Sequence, residues 1–316
     1  MDISIIIPSY NENESLPELL GWIRQVMERE GLEYEVIIVD DGSNDGTWES
    51  VKRMSEGDRR VKGIRFRRNY GKSAALFCGF RKAAGDIVVT MDADLQDSPD
   101  EIPEMRRMIL EDGYDLVSGW KQHRKDNKLT KNIPSKLYNA TARLITGLKL
   151  HDMNCGLKAY KSQVVKDIEV YGEMHRYIPY LAKNAGYTNI GEKPVHHQKR
   201  KYGKSKFGMN RFVNGFLDLL SLSFLQTFGK KPMHFFGYPG IFMFLIGGIM
   251  AILIIIAKLV HQAKLIPYRA VTDQPLFYLA LVAVILGVML FLAGFVCEMI
   301  SRTSSGRNNY NIADEI

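Results

Sequence analysis

Several signatures that would classify a chain at once are missing from these 316 residues. No G-x-x-x-x-G-K-[ST] stretch occurs and no G-x-G-x-x-G follows the first apolar run, which excludes a P-loop and a dinucleotide fingerprint. Cysteine is scarce. Cys78, Cys155 and Cys297 lie far apart, leaving no disulfide framework and no zinc spacing, so a reducing compartment is expected. The opening MDISIIIPSYNENE turns polar after one strand-length run and lacks the apolar core of a secretory signal. No internal repeat or low-complexity segment is present. The net charge of +7 favours an acidic membrane surface or anionic ligands, but the basic residues are not interleaved with aromatics, which argues against nucleic acid.

Charge itself is absent from two long stretches, Phe235 to Ala257 and Gln274 to Cys297. A helix crossing the hydrocarbon core needs about 20 apolar residues, so transmembrane helices are expected over 233–258 and 274–298. The loop 259–273 would then face away from the cytosol and the tail 299–316 would lie in it. Arg211, Lys230, Lys231, Arg302 and Arg307 flank the outer ends of the spans, against Lys258, Lys264 and Arg269 in the loop, a slight positive-inside bias. Ahead of the first span, 209–232 carries apolar residues at helical spacing. It reads as an amphipathic juxtamembrane helix at the interface, with a simple core helix as the alternative.

Residues 1–208 have a different pattern. The runs ISIIIPS, YEVIIVD, VKGIRF and DIVVTM read as buried strands, each followed by an amphipathic helix, which predicts an α/β domain with a mostly parallel sheet. In such sheets ligands bind beyond the carboxyl ends of the strands. Polar residues gather there: Pro8-Ser9-Tyr10-Asn11-Glu12, Asp40-Asp41-Gly42-Ser43 and Asp92-Ala93-Asp94. Asp97 to Glu101 fit a helix N-cap and acidic first turn. Asp92 and Asp94 lie before that helix, and with Gln96 they offer hard oxygens suited to Mg²⁺ or Mn²⁺. Two basic stretches, Trp120 to Lys136 and Lys193 to Gly208, would face this acidic edge, an arrangement suited to a metal-bound diphosphate.

PSYNE (Pro8–Glu12), VDDGSNDGT (Val39–Thr47), NYGKSAAL (Asn69–Leu76) and MDADLQDSPDEIP (Met91–Pro103) resemble the family-2 inverting glycosyltransferases. HDMNCGLKAY (His151–Tyr160), HRYIP (His175–Pro179) and RKYGKSKFG (Arg200–Gly208) resemble its polyprenyl-phosphate branch, which includes dolichyl-phosphate mannose synthase and bacterial glucosyltransferases with two C-terminal spans. The resemblance implies a GT-A (Rossmann-like) catalytic domain and transfer of a hexose from a nucleotide-diphosphate sugar to a polyprenyl phosphate. UDP-glucose is the first expectation for the donor and GDP-mannose the second.

By that resemblance Pro8, Tyr10, Glu12, Val39 and Asp41 would line the nucleoside pocket, and Asp92 and Ala93 would meet ribose and sugar phosphate. Asp92, Asp94 and Gln96 would hold the metal. Lys121, Arg200 and Lys206 would bind the diphosphate, and Lys131 and Ser135 the acceptor phosphate. Lys121 and Lys131 replace arginines of the family pattern, trading a bidentate fork for a point donor. Asp152 matches an aspartate discussed as the general base, although a phosphate monoester with a second pKa of about 6 scarcely needs one. The resemblance also implies a location in the inner (cytoplasmic) membrane, a cytosolic catalytic domain, and homo-oligomers up to tetramers. Two other functions stand beside this one: a membrane enzyme acting on a glycan or glycerolipid, and a non-catalytic membrane-anchored scaffold. Against the first, the chain has no Q-x-x-R-W motif of processive synthases. Against the second, it retains the metal acids.

Overall fold

The computed structural model describes residues 1–122, 143, 146–198, 201–202, 232–267, 269–303, 310 and 312–316. They fall into two units, 1–220 with 307–316, and 221–306.

In the first unit the branched apolar runs form strands whose side chains are mostly buried on both faces, with Lys62 of the third the exposed exception. These are β1 (Ile3–Ser9), β2 (Tyr34–Asp40), β3 (Val61–Phe66) and β4 (Ile87–Thr90). Helices α1 (Leu16–Arg29), α2 (Thr47–Gly57) and α3 (Lys72–Lys82) connect them, as the alternation predicts. The chain continues through α4 (Ile102–Leu110), β5 (Leu116–Trp120), β6 (Lys158–Lys161), α5 (Ser162–Asp167), α6 (Ile178–Asn184) and β7 (Ile190–Pro194). A last strand, β8 (Ile312–Glu315), comes from the end of the chain. The strand order is β7-β5-β6-β4-β1-β2-β3-β8. Pairing is parallel except at β6, which runs against both β4 and β5, and at β8, which runs against β3. The ends of β1 and β2 lie level, with Ser9 opposite Asp40, and β4 flanks β1 on its other side. Three acid- or turn-bearing segments therefore leave one edge of the sheet together.

The second unit pairs α7 (Pro232–Ala263) with α8 (Pro275–Thr303). Pro232–Ala263 (32 residues) and Pro275–Ile300 (26 residues), with mean hydropathies of 2.8 and 2.9 over their most apolar stretches, are long and apolar enough to cross a membrane. The helices run antiparallel, and small residues seven apart form the seam: Gly240 faces Gly287 and Gly247 faces Ala280, while Gly294 packs against Phe236 and Met233. A Cβ added at Gly287 would lie 2.6 Å from the Gly240 carbonyl oxygen, so the backbones touch as only small residues allow. The large residues point outward, Ile252 and Leu253 being 57% and 59% exposed. A soluble core helix would bury them.

Candidate active site

The first wall of the site is the turn after β2. Asp41 is buried, and its two carboxylate oxygens accept the backbone N–H groups of Tyr70 (2.6 Å) and Gly71 (2.9 Å). Gly42 has φ +76, and its Cα faces the backbone of Arg68 and Asn69 so closely that an added Cβ would sit 2.7 Å from the Arg68 carbonyl carbon. Only glycine fits there. Burial raises the pKa of both Asp40 and Asp41, and hydrogen bonds from neighbouring N–H groups oppose it. The PSYNE segment is laced to the same turn: Asn11 N–H donates to Ser43 Oγ (2.9 Å) and Glu12 N–H to Thr47 Oγ1 (3.0 Å). Pro8, Tyr10 and Glu12 are half-buried here, whereas Val39 is wholly enclosed in β2.

The acidic loop after β4 forms the second wall. Leu95 takes the left-handed conformation (φ 59), rare for a branched residue. It folds the loop back so that Asp94 Oδ1 accepts the Gln96 N–H at 3.2 Å. Ala93 and Asp94 are buried, while Asp92 keeps about a third of its side chain exposed (34%). Asp92 is ion-paired with Lys72, at the first turn of α3. Burial acts to raise the Asp92 pKa, but the charges of Lys72 and Lys121 override it and hold the carboxyl well below its usual range. Gly156 presses against this carboxylate, where an added Cβ would be 2.5 Å from Oδ2.

Asp97, expected as a helix cap, does something else. Ser98 is the N-cap, its Oγ accepting the Asp100 N–H at 3.3 Å, and a short 3₁₀ turn (Pro99–Glu101) leads into α4. Asp97 is buried with Lys121, 2.8 Å away, and His197 Nδ1, 3.7 Å away. The Asp97 carboxylate overcomes burial and raises the Lys121 pKa. Lys121, assigned to the diphosphate by resemblance, thus fastens the end of β5 beneath the acidic loop. The start of the basic closing segment is fastened to the same loop, because Gln198 N–H donates to the Gln96 carbonyl at 2.8 Å. Arg200, Lys206, Lys131 and Ser135 lie outside the described residues.

Asp152 stands on the loop that reaches Asp92 through Gly156. It is buried and its Oδ1 accepts the Asn154 N–H at 3.1 Å. Glu192 of β7 holds this loop by accepting the N–H groups of His151 and Asp152, each at 2.9 Å, while His151 stacks on Trp120. Two lysines escaped the sequence reading. Lys72 was visible only as part of NYGKSAAL, and Lys158 looked like an ordinary strand residue. Lys158 is buried under the site, with its ammonium on the Cys155 carbonyl and its pKa lowered by that burial.

Asp92, Asp94 and Gln96 offer hard oxygens of the kind Mg²⁺ and Mn²⁺ accept. No cluster of three His, Cys, Asp or Glu side chains suited to a metal occurs among the described residues. Two carboxylates are what such an ion takes when substrate phosphates complete its shell.

Residues 4–169 match the family model described as "Glycosyl transferase family 2". A dodecaprenyl-phosphate galacturonate synthase from Rhizobium johnstonii is 33% identical over 305 residues, 96% of this chain and 88% of that protein. An undecaprenyl-phosphate 4-deoxy-4-formamido-L-arabinose transferase from Shewanella sediminis is 36% identical over 83% of this chain and 77% of its own length. Among solved structures, mannosyl-3-phosphoglycerate synthase from Rubrobacter xylanophilus aligns with TM-score 0.57 and 16% identity, covering 72% of this chain and 75% of that one. Glucosyl-3-phosphoglycerate synthase from Mycobacterium tuberculosis, in complex with Mn²⁺, UDP and phosphoglyceric acid, aligns with TM-score 0.54 and 18% identity, covering 71% and 78%. The chain belongs to glycosyl transferase family 2. Its first unit has the GT-A fold, and the protein is a glycosyltransferase.

Proposed function

We propose that this chain transfers a sugar, with inversion, from a uridine-diphosphate donor to a polyprenyl phosphate at the cytosolic face of the inner membrane. The observation that carries this reading is the union, in one chain, of a diphosphate-type acidic loop and a helix pair whose surface is apolar. The polyprenyl-phosphate relatives support the acceptor, because the similarity to the galacturonate synthase extends over nearly the whole chain.

Asp41, fixed by two backbone N–H groups, offers its remaining lone pairs to the nucleobase. Asp92, Asp94 and Gln96 would hold a divalent cation, Mg²⁺ or Mn²⁺, whose charge would offset that of the diphosphate. Lys72 steadies Asp92 and stands ready to donate to a phosphate oxygen; Arg200 and Lys206 would do the same from the closing segment. A phosphate oxygen of the lipid, already anionic near neutral pH, forms a bond to the anomeric carbon. The bond from that carbon to the nucleoside diphosphate breaks, and its electron pair departs with the diphosphate. No side chain need remove a proton, so Asp152 orients the acceptor and faces developing positive charge on the sugar, with Lys131 and Ser135 at the acceptor phosphate. The two apolar helices hold the active site beside a membrane-bound substrate and raise its effective concentration.

The test is transfer of labelled sugar to undecaprenyl phosphate in detergent, with UDP-glucose, UDP-galacturonic acid, UDP-galactose and GDP-mannose in parallel, with and without EDTA. One uridine donor should give organic-soluble label that EDTA abolishes. Label from GDP-mannose alone would refute the donor assignment. Nucleotide binding without labelled lipid would refute the acceptor.

A further inference from the structure

The sheet does not end at β3. After α8, the last residues of the chain rejoin the first unit as β8, pairing antiparallel with β3 and covering an edge that would otherwise expose unpaired backbone groups. Ile316 and Gly63 exchange backbone hydrogen bonds at 2.9 and 3.0 Å. Asp314 pairs with Lys52 of α2 at 2.8 Å, and Glu315 pairs with Lys82 of α3.

Tyr310 lies just before this strand and enters an aromatic cluster. Its ring lies 5.4 Å from Tyr70, 5.8 Å from Phe66 and 6.1 Å from Phe77, with Tyr70 also edge-on to Phe66 at 5.5 Å. Tyr70 is the residue whose N–H binds Asp41, and the Arg68–Asn69 backbone beside it is the surface against which Gly42 packs. The contacts thus run without a gap from the chain's end to the turn after β2. The Tyr310 ring packs on the Tyr70 ring, and the Tyr70 backbone N–H holds Asp41.

We propose that the C-terminal segment is a working part of the nucleotide site, with Tyr310 a positioning residue that sets the Arg68–Gly71 wall against Asp41. This rests on the reading above that Asp41 lines the nucleoside pocket. The segment has two holds on the wall. Strand pairing and two ion pairs fix the register of the tail, and the Tyr310 ring restricts Tyr70. Aromatic pairs of this kind contribute beyond their buried area, so losing those centred on Tyr310 should weaken nucleotide binding about tenfold.

The experiment uses the full chain in detergent, with UDP and Mn²⁺ titrated calorimetrically into wild type, Tyr310→Ala and Tyr310→Phe. The expected result is UDP binding about tenfold weaker in Tyr310→Ala and near wild type in Tyr310→Phe, because the ring and not the hydroxyl does the positioning. Backbone amides of Tyr70 and Gly71 should exchange hydrogen faster in Tyr310→Ala, while KM for undecaprenyl phosphate stays unchanged. If wild type itself binds no UDP, the nucleoside reading of Asp41 fails and this inference falls with it. If wild type binds and Tyr310→Ala binds equally well, the inference alone is overturned. A parallel loss of UDP and lipid affinity would also overturn it, since general destabilisation would explain both. Should Tyr310→Ala not fold, the double variant Lys52→Ala/Lys82→Ala loosens β8 without touching the rings. It should weaken UDP binding about twofold or threefold, in line with two surface ion pairs, and unchanged affinity there would equally refute the proposal.

Discussion

The two units use the same amino acids in opposite places. In the sheet unit isoleucine is interior: Ile3, Ile5, Ile6 and Ile7 are fully buried, and glycine serves turns such as Gly42 and Gly46. In the helix pair glycine is interior, at 240, 247, 287 and 294, and isoleucines such as Ile249, Ile252, Ile255 and Ile256 face out, Ile254 alone in the run 252–256 being buried. Water drives large apolar side chains inward because removing their surface from it is favourable. An apolar surrounding gives no such drive, and helices then associate through close backbone packing at small residues. The inversion separates the two units: the first buries its large apolar residues, and the second exposes them on helices long and apolar enough to cross a membrane. The family-matched residues 4–169 lie in the first, as do all the tryptophans (Trp22, Trp48, Trp120), so their fluorescence reports on that unit alone.

The largest effect should come from separating chemistry from architecture. Asp94→Ala should lower sugar transfer at least about a hundredfold while tryptophan fluorescence and the helical circular-dichroism signal both melt as in wild type. An active Asp94→Ala protein would remove the acidic loop from the reaction. Next, Ile5→Ala should destabilise the sheet unit by about 2–5 kcal/mol, seen as an earlier tryptophan transition, whereas Ile252→Ala should change it by less than about 0.5 kcal/mol. Equal costs would abolish the contrast between the two interiors. Gly287→Leu must push against the Gly240 backbone and should cost the helix pair about 1–3 kcal/mol, lowering the helical melt but sparing the tryptophan transition.

The smallest effect concerns acid. Hydrogen bonds from Arg60, with Arg24 adding to them, hold the Asp58 carboxyl at about 2, below its ordinary 3.8. A folded pKa depressed below the unfolded one contributes stability that is present above the unfolded value. That stability is lost as pH falls from about 4 toward 2. Asp58→Asn should therefore flatten the tryptophan-monitored acid sensitivity in that window and leave the helix pair's response alone. An unchanged acid profile would show that this surface cluster carries no weight.

The comparison also separates what was readable from what was not. Strands β1 to β4 and the polar clusters at their carboxyl ends follow from uninterrupted apolar runs alternating with amphipathic helices. Both long helices follow from the absence of charge. Strands β5, β7 and β8 did not announce themselves, since LVSGW, IGEKP and IADE are short and interrupted by glycine or charge. The sheet accepts them through backbone pairing, which leaves little trace in side-chain pattern. The role of Asp97 was misjudged for a related reason. An acid beside a serine at a helix start looks like a cap until Lys121 and His197 arrive from distant segments to bury it.

By itself, the sequence determined composition-driven matters: an α/β domain followed by two membrane-length helices, and an acidic D-x-D loop at the end of a strand. Hydrophobic periodicity and local motif chemistry are properties of neighbours in the chain, and neighbours are what a sequence records. Only the tertiary structure decided that Lys72 answers Asp92, that Glu192 holds the Asp152 loop, and that Tyr310 packs on Tyr70 beside the Asp41 turn. Each of these joins residues far apart in the chain, and their meeting depends on strand order and register, which local propensity does not encode.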